Sequence, residues 1–327
     1  MVFESGYLRT LIFPQTSTSQ ELADAYGYHE WMVGRFLEYM PDVERCLTAM
    51  ETHQTTYVRT NTLKIDPASL LNLLEAKNIK VVSTELPEVY RVVSTPLPIG
   101  ATTEYLAGLY YIQDLSSCIA VAELDVSSNQ HNMDMACAPG GKTTFMAQKM
   151  CNSGAILALE NNPRRIPSVI FNLSRCGVLN TSIFNMDARS TGCLRMKFDR
   201  VLLDAPCTCE GIISKDRTRK TSHHPSSIED SSRRQLEMLL EATRVVNHGG
   251  FIIYSTCSFA PEENEVVVDD LLEILGDSIA LESVHHGLQG LTHFGDRRFH
   301  SSLSRTARFY PHFHNTIGFY IAKIRVC

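Results

Sequence analysis

The chain contains no run of 18 or more apolar residues, which argues against a membrane-spanning helix. Its opening residues, Met1-Val2-Phe3-Glu4-Ser5, carry neither the basic region nor the apolar core of a signal peptide, so a cytoplasmic location is expected. In that reducing compartment the ten cysteines are free thiols rather than a disulfide framework. No Cys-x-x-Cys pair occurs and Cys207-x-Cys209 stands alone, so no metal site is expected. Positive charge is also short. A formal net charge of −6 argues against a protein that coats nucleic acid through phosphate neutralisation. Local basic faces are still open to the chain in Lys215-Asp216-Arg217-Thr218-Arg219-Lys220 and in Arg297, Arg298, Arg305 and Arg308, with solvated loop charge as the competing reading. There is no internal repeat and no low-complexity tract.

What is present is an ordinary globular composition, 44% hydrophobic and 20% charged, in 327 residues, enough for one large domain and a small one. Ser19 to Met50 reads as two or three helices. Tyr57–Leu63, Lys80–Thr84 and Val89–Val93 read as strands, and Pro67–Lys77 as a helix with leucines at helical spacing. Residues 1–95 are therefore expected to form a helical lead-in plus a small α+β, ferredoxin-like or RRM-like domain, closed by the turn-rich Ser94–Gly100. In 96–327 the pattern turns to alternating strand and helix. Strands are expected at Met133–Ala136, Ala155–Glu160, Thr181–Asn185, Phe198–Asp204 and Phe251–Ser255, and helices at Thr143–Met150, Arg164–Cys176 and Ser232–Val246. Ser232-x-x-Gln235 reads as a capping box for the last helix. Gly318–Val326 reads as an antiparallel edge strand. Short apolar strands alternating with helices predict a doubly wound, Rossmann-like α/β domain.

Ligand crevices in such sheets lie at the carboxyl ends of the strands. Four successive strand ends here carry small or acidic residues. The first is the loop Ala136-Cys137-Ala138-Pro139-Gly140-Gly141-Lys142, whose small side chains let a ligand approach the backbone at a helix N-terminus. Gly141-Lys142-Thr143 mimics the end of a nucleotide P-loop, but that motif needs glycine where Ala136 stands, and Pro139 removes an N–H from the cradle. Glu160, Asp187 and Asp204 end or follow the next three strands. Carboxylates there repel polyphosphates and suit a cofactor with a nucleoside end and a cationic centre, which describes S-adenosyl-L-methionine. Cys207 and Cys257 each follow a strand, and strands paired about 5 Å apart would make the two thiols face one substrate. Two thiols suit methylation of pyrimidine carbon 5: one adds to carbon 6, activating carbon 5, and the other aids release. Asp204 is placed to hydrogen-bond the ring. Cys46, Cys118, Cys151, Cys176, Cys193 and Cys327 read as small packing residues.

Asp134 to Thr143, Asp204-Ala205-Pro206-Cys207 and Ser255-Thr256-Cys257-Ser258-Phe259-Ala260-Pro261-Glu262-Glu263-Asn264-Glu265 together resemble the RNA cytosine-5 methyltransferases of the Sun/NOP (RsmB/NOP) class. So do Tyr57–Lys64 and Tyr110–Ser117. The resemblance runs from about residue 20 onward and implies a class I methyltransferase domain. It implies Cys257 as nucleophile and Cys207 as release thiol, and cofactor contacts from Ala136 to Lys142 and from Glu160, Arg165, Asp187 and Asp204. The chain departs from the family pattern at Ala136-Cys137, where the family has the two small residues in the other order. It departs again at Cys209, where the family usually has glycine; a positive φ there would strain a cysteine. The compact form is similar to archaeal tRNA-modifying members, so the expectation is a monomer acting on tRNA, with Arg59 and the loop after Cys209 helping to choose the target. Ribosomal RNA is the alternative substrate, and a catalytically inactive RNA-binding scaffold the alternative of another class.

Overall fold

The computed structural model describes residues 16–52, 55–222 and 224–327; Met1–Ser5 lie outside them. Three helices lead, α1 (Ser17–Tyr26), α2 (Glu30–Tyr39) and α3 (Val43–Glu51). Thr16 and Ser19 form a reciprocal capping box at the start of α1. A small unit follows: β1 (Tyr57–Thr60), α4 (Pro67–Ala76), β2 (Lys80–Ser83), β3 (Val89–Ser94), the one-turn α5 (Thr103–Leu106) and β4 (Tyr110–Ile112). Asp66 caps α4 and Pro67 occupies its first turn, where a missing N–H costs nothing. The strands pair antiparallel in the order β2-β3-β1-β4, the ferredoxin-like arrangement expected. Its core is Val58, Leu70, Leu74, Ile79, Tyr90 and Tyr110.

The expected division at residue 95 is displaced in two ways. β4 lies beyond the turn-rich segment, so the small sheet closes only at Ile112. The lead-in helices share their core with the large sheet instead of the small one: Phe36 packs edge-on against Phe259 with ring centres 6.0 Å apart, and the buried Arg35 pairs with Glu262 at 2.6 Å.

The remaining chain runs α6 (Leu115–Glu123), β5 (His131–Asp134), α7 (Gly141–Lys149), β6 (Ala155–Leu159), α8 (Ile166–Cys176), β7 (Thr181–Phe184), β8 (Phe198–Asp204), α9 (Pro225–Val245), β9 (Val246–Thr256), α10 (Glu265–Leu275), β10 (Ile279–Glu282) and β11 (Leu288–Gln289). It ends with the hairpin β12 (His293–Phe294) and β13 (Arg297–Arg298), then β14 (Ala307–Phe309), the one-turn α11 (Pro311–His314) and β15 (Phe319–Val326). The large sheet has the order β11-β14-β15-β9-β8-β5-β6-β7, with β10 also on β15. Strands β5 to β9 are parallel, and the order reverses between β5 and β8, which places a crevice at their carboxyl ends. Alternate residues face opposite layers: Leu202 and Ile253 meet Ile119, Phe145 and Met146, while Val201, Leu203 and Tyr254 meet Leu239 and Val267.

Two expectations fail here. β15 is not an edge strand, because β9 flanks it on one side and β14 and β10 on the other. Ser232 and Gln235 are not a cap: α9 begins at Pro225, capped by His224. Both polar side chains are satisfied by tertiary partners, Ser232 Oγ donating to Glu262 O at 2.6 Å and Gln235 Nε2 to Pro206 O at 2.9 Å.

Arg59 is buried, 1% exposed, and cannot read RNA. It donates to Gln148 Oε1 at 2.7 Å and Thr144 Oγ1 at 2.8 Å, over the Phe145 ring at 4.5 Å, and so ties the small sheet to α7. Arg59→Ala leaves two buried acceptors without their donor and removes a desolvated cation–π contact, so it should cost about 3 kcal/mol, measured by urea unfolding. A loss too small to measure would show that this lock contributes nothing.

Candidate active site

β8 and β9 run parallel in a register that sets Asp204 opposite Ser255, so the loops leaving them emerge side by side. Cys207 and Cys257, 50 residues apart in sequence, bring their Sγ atoms within 3.3 Å, both half-buried. Close approach of the two loops requires a glycine: a Cβ on Gly211 would lie 2.2 Å from Gly318 O and 2.8 Å from Cys257 O. Gly211 N–H donates to that Cys257 carbonyl at 2.8 Å. The Cys257 loop is held from the other side by Asn264, which accepts from Thr256 Oγ1 and donates to Ser258 O at 3.0 Å. Thus the Pro-Glu-Glu-Asn-Glu run after Cys257 serves as scaffold for the thiol.

Neighbouring thiols and burial hold the Cys207 thiol well above its usual range. For Cys257 the hydrogen bond with Cys207 favours the thiolate, but Cys209, burial and the Asp204 carboxylate outweigh it, so this thiol is also held up. On balance the surroundings favour the thiol form of the pair. Cys209 lies 3.8 Å from Cys207, Sγ to Sγ, with φ 63° and ψ 34°. The positive φ suspected from the missing glycine is real, and an L-residue there carries about 1 kcal/mol of strain. Cys207-x-Cys209 is not isolated either, since Cys257 completes a three-thiol group that spacing along the chain could not show.

Each carboxylate oxygen of Asp204 has one partner and a lone pair left to accept another hydrogen bond. Lys142 Nζ lies 2.7 Å from Oδ2, and Ser255 Oγ donates to Oδ1 at 2.8 Å. Burial works against the Lys142 ammonium, but Asp204 beside it more than compensates and holds the group above its usual range. Sequence reasoning assigned Lys142 to the cofactor loop and missed this ion pair; the only signal was that both residues follow strands meeting at the switch point.

Beneath the thiols, Glu263 accepts from Thr208 N at 2.9 Å and from Thr208 Oγ1, tying the Cys207 loop to the Cys257 loop. Burial pushes the Glu263 carboxyl to about 7 and that of neighbouring Glu210 to about 8. Neither was singled out from sequence, because a glutamate's burial is invisible there. In the unfolded chain both ionise near 4.3. Between that value and their folded values the native state holds the extra protons, so stability falls as pH rises and the loss is complete above about 8. Glu210→Gln mimics the neutral form and should flatten the urea midpoint between pH 5 and 8, by on the order of 3 kcal/mol. An unchanged pH slope would show that Glu210 does not titrate in this way.

The other half of the crevice is a cleft of about 270 Å³, lined among others by Ala136, Glu160, Arg165, Met186, Asp187 and Pro206. Asp134 shapes the loop by accepting from Thr143 Oγ1 at 2.7 Å and Ala136 N at 3.3 Å, and burial raises its carboxyl to about 6. Gly140 takes φ 103° before α7. Glu160 accepts from Asn162 N at 2.7 Å, and Arg165 lies 3.4 Å from it while donating to Ala138 O at 2.9 Å. Asp187 pairs with Arg189 at 2.8 Å, which keeps its carboxyl below the usual range. Of the expected cofactor contacts, Ala136, Glu160, Arg165 and Asp187 line this cleft. Cys137 is buried, with its N–H on Leu159 O. Ala138, Pro139, Gly140, Gly141, Lys142 and Asp204, also expected to contact the cofactor, do not line the cleft. Pro206 joins it to the thiols. Asn161, Met186 and Met238 also line it and carried no sequence signal.

The basic segments are mostly paired internally. Lys220 and Arg217 meet Glu51, Arg219 meets Asp216, Arg297 meets Asp269 and Asp270, and Arg308 is buried against Glu265. Among the remaining cysteines, Cys46, Cys118 and Cys176 pack as expected, whereas Cys151, Cys193 and Cys327 are exposed. Among the described residues no helix is long and apolar enough to cross a membrane.

The sequence pattern of the family described as 16S rRNA methyltransferase RsmB/F matches residues 121–325, and that of its ferredoxin-like domain matches 28–97. The chain is 41% identical over 314 residues to the human 28S rRNA (cytosine(4447)-C(5))-methyltransferase, covering 94% of this chain and 39% of that protein. It is 35% identical to the ribosomal RNA small subunit methyltransferase F of Erwinia tasmaniensis, covering 90% and 62%. It thus spans roughly two to three fifths of the length of these curated relatives. Among solved structures, a methyltransferase homologue from Pyrococcus horikoshii is similar with a TM-score of 0.87 and 33% identity, covering 95% of this chain and all of that one.

Proposed function

The chain belongs to the RsmB/F methyltransferase family, and from that premise we propose that it methylates carbon 5 of a cytosine in RNA, with S-adenosylmethionine as methyl donor. The observation that carries the reading is the 3.3 Å approach of Cys207 and Cys257 beside the Lys142–Asp204 pair. A scaffold has no use for two apposed thiols at that position.

The cleft residues fit the cofactor. Glu160 and Asp187 offer carboxylates to ribose hydroxyls, small residues from Ala136 to Gly141 allow backbone approach, and acidic surroundings favour a cation. When bound, S-adenosylmethionine supplies an electrophilic sulfonium methyl group. Cys257, the proposed nucleophile, gives its proton to solvent as its sulfur bonds to carbon 6, and the carbon 5–carbon 6 double-bond electrons shift to make carbon 5 nucleophilic. Asp204, oriented by Lys142, accepts from the exocyclic amine and holds the ring in place. Once carbon 5 is methylated, Cys207 gives its own proton to solvent and, as the thiolate, takes the remaining proton of carbon 5. The C–H electrons then restore the double bond and expel the Cys257 thiolate. An RNA cytosine must be unpaired or flipped to enter.

Ribosomal RNA is the substrate class we favour over the tRNA expected from sequence, because relatives at 41%, 38% and 36% identity are named as rRNA enzymes. Purified protein with labelled S-adenosylmethionine and unmethylated RNA should place label in 5-methylcytidine of rRNA. Label in tRNA alone would return the tRNA reading, and RNA binding without label would leave a scaffold.

A further inference from the structure

Neither the addition nor the release step needs a third thiol, yet Cys209 brings one to the pair. The Sγ atoms of Cys207, Cys209 and Cys257 all lie within 4.8 Å of one another, with two separations of 3.3 and 3.8 Å. Sulfurs bound to one zinc ion at about 2.3 Å stand roughly 3.8–4.0 Å apart in tetrahedral or trigonal geometry. The Cys207–Cys209 edge already has that length, the Cys207–Cys257 edge must open by about half an ångström, and the third edge, within 4.8 Å, must at most close by about 1 Å. We propose that Cys207, Cys209 and Cys257 form a three-thiolate site for a thiophilic d10 ion, zinc in the first instance.

Several features favour a soft ion here. The ligand set is sulfur only, because no carboxylate oxygen among the described residues joins the three sulfurs within 4.8 Å. On binding, each thiol gives its proton to solvent and its sulfur to the metal, so affinity rises with pH. Three thiolates and a dication leave one negative charge, and the Lys142 ammonium, which interacts with Cys257, offsets it. The 3₁₀ turn that begins at Glu210 fixes the Cys209 backbone at φ 63°, so its sulfur is held by local geometry and not by a long flexible chain. On the proposed function, a metal-bound Cys257 sulfur cannot add to carbon 6. Zinc is then a reversible block, released by a chelator.

The test uses the full chain, reduced and metal-free. Cadmium should bind one equivalent with the ultraviolet sulfur-to-metal charge-transfer band of thiolate ligation, and zinc should displace it. Cys209→Gly relieves the positive φ and keeps the fold, so it should weaken binding by roughly 100-fold or more. Cys209→Ser, which keeps the side-chain volume, should behave likewise. Equal affinity in wild type and both variants would overturn the site, as would a wild type with no band. Failure of the proposed function is separately visible: the band would appear in a protein that methylates no RNA.

Discussion

Cys257→Ala should lower methyl transfer by roughly 10⁴-fold or more and leave no covalent protein–RNA species. The size follows from the chemistry: without a sulfur on carbon 6, carbon 5 of cytosine is too poor a nucleophile to take a methyl group. Cys207 cannot substitute without moving its loop, because the ladder sets Asp204 opposite Ser255 and Glu263 clamps Thr208. The fold should survive, since Cys257 is half-buried and its loop is held by Asn264 and Gly211. RNA and cofactor affinity measured on the variant should therefore stay near wild type. Residual activity within tenfold of wild type would remove Cys257 from the role of nucleophile.

Cys207→Ala should act at the other end of the reaction. Turnover should fall about 10²–10⁴-fold, the range for losing a positioned proton-transfer group. A covalent complex that survives denaturing gel electrophoresis should accumulate, because addition and methylation remain open while release is blocked. Addition itself should slow somewhat, since the hydrogen bond from Cys207 is the largest influence on Cys257 that favours its thiolate. A Cys207→Ala protein that turns over normally, with no complex on the gel, would assign release to another group.

Much of this arrangement was legible because it depends on strand ends. Apolar runs at Phe198–Asp204 and around Phe251–Ser255 located β8 and β9, and residues just past a parallel strand fall in the crevice whatever the rest of the fold does. The ferredoxin-like unit was legible for a similar reason, its strands and Pro67 helix being locally encoded. What failed depended on long-range partners. Arg59 looks like an RNA contact until the Gln148 and Thr144 acceptors on α7 are seen. Ser232 and Gln235 have the spacing of a cap, but Glu262 O and Pro206 O claim them in mid-helix. β15 has the pattern of an edge strand, and only the short β14 and β10 beyond it place it inside the sheet. The burial of Glu210 and Glu263, 1% and 0% exposed, has no counterpart in the local sequence. The third thiol was discounted on spacing alone, since Cys257 stands 48 residues after Cys209 and only the β8–β9 pairing unites them.

The central claim is an ordered division of labour between two adjacent sulfurs. Its most direct test is to trap Cys207→Ala protein on its RNA, digest the complex, and identify by mass spectrometry the cysteine that carries the nucleotide. The account predicts a methylated cytosine joined to Cys257. A nucleotide joined to Cys209, or a stable adduct formed by Cys257→Ala instead, would contradict it.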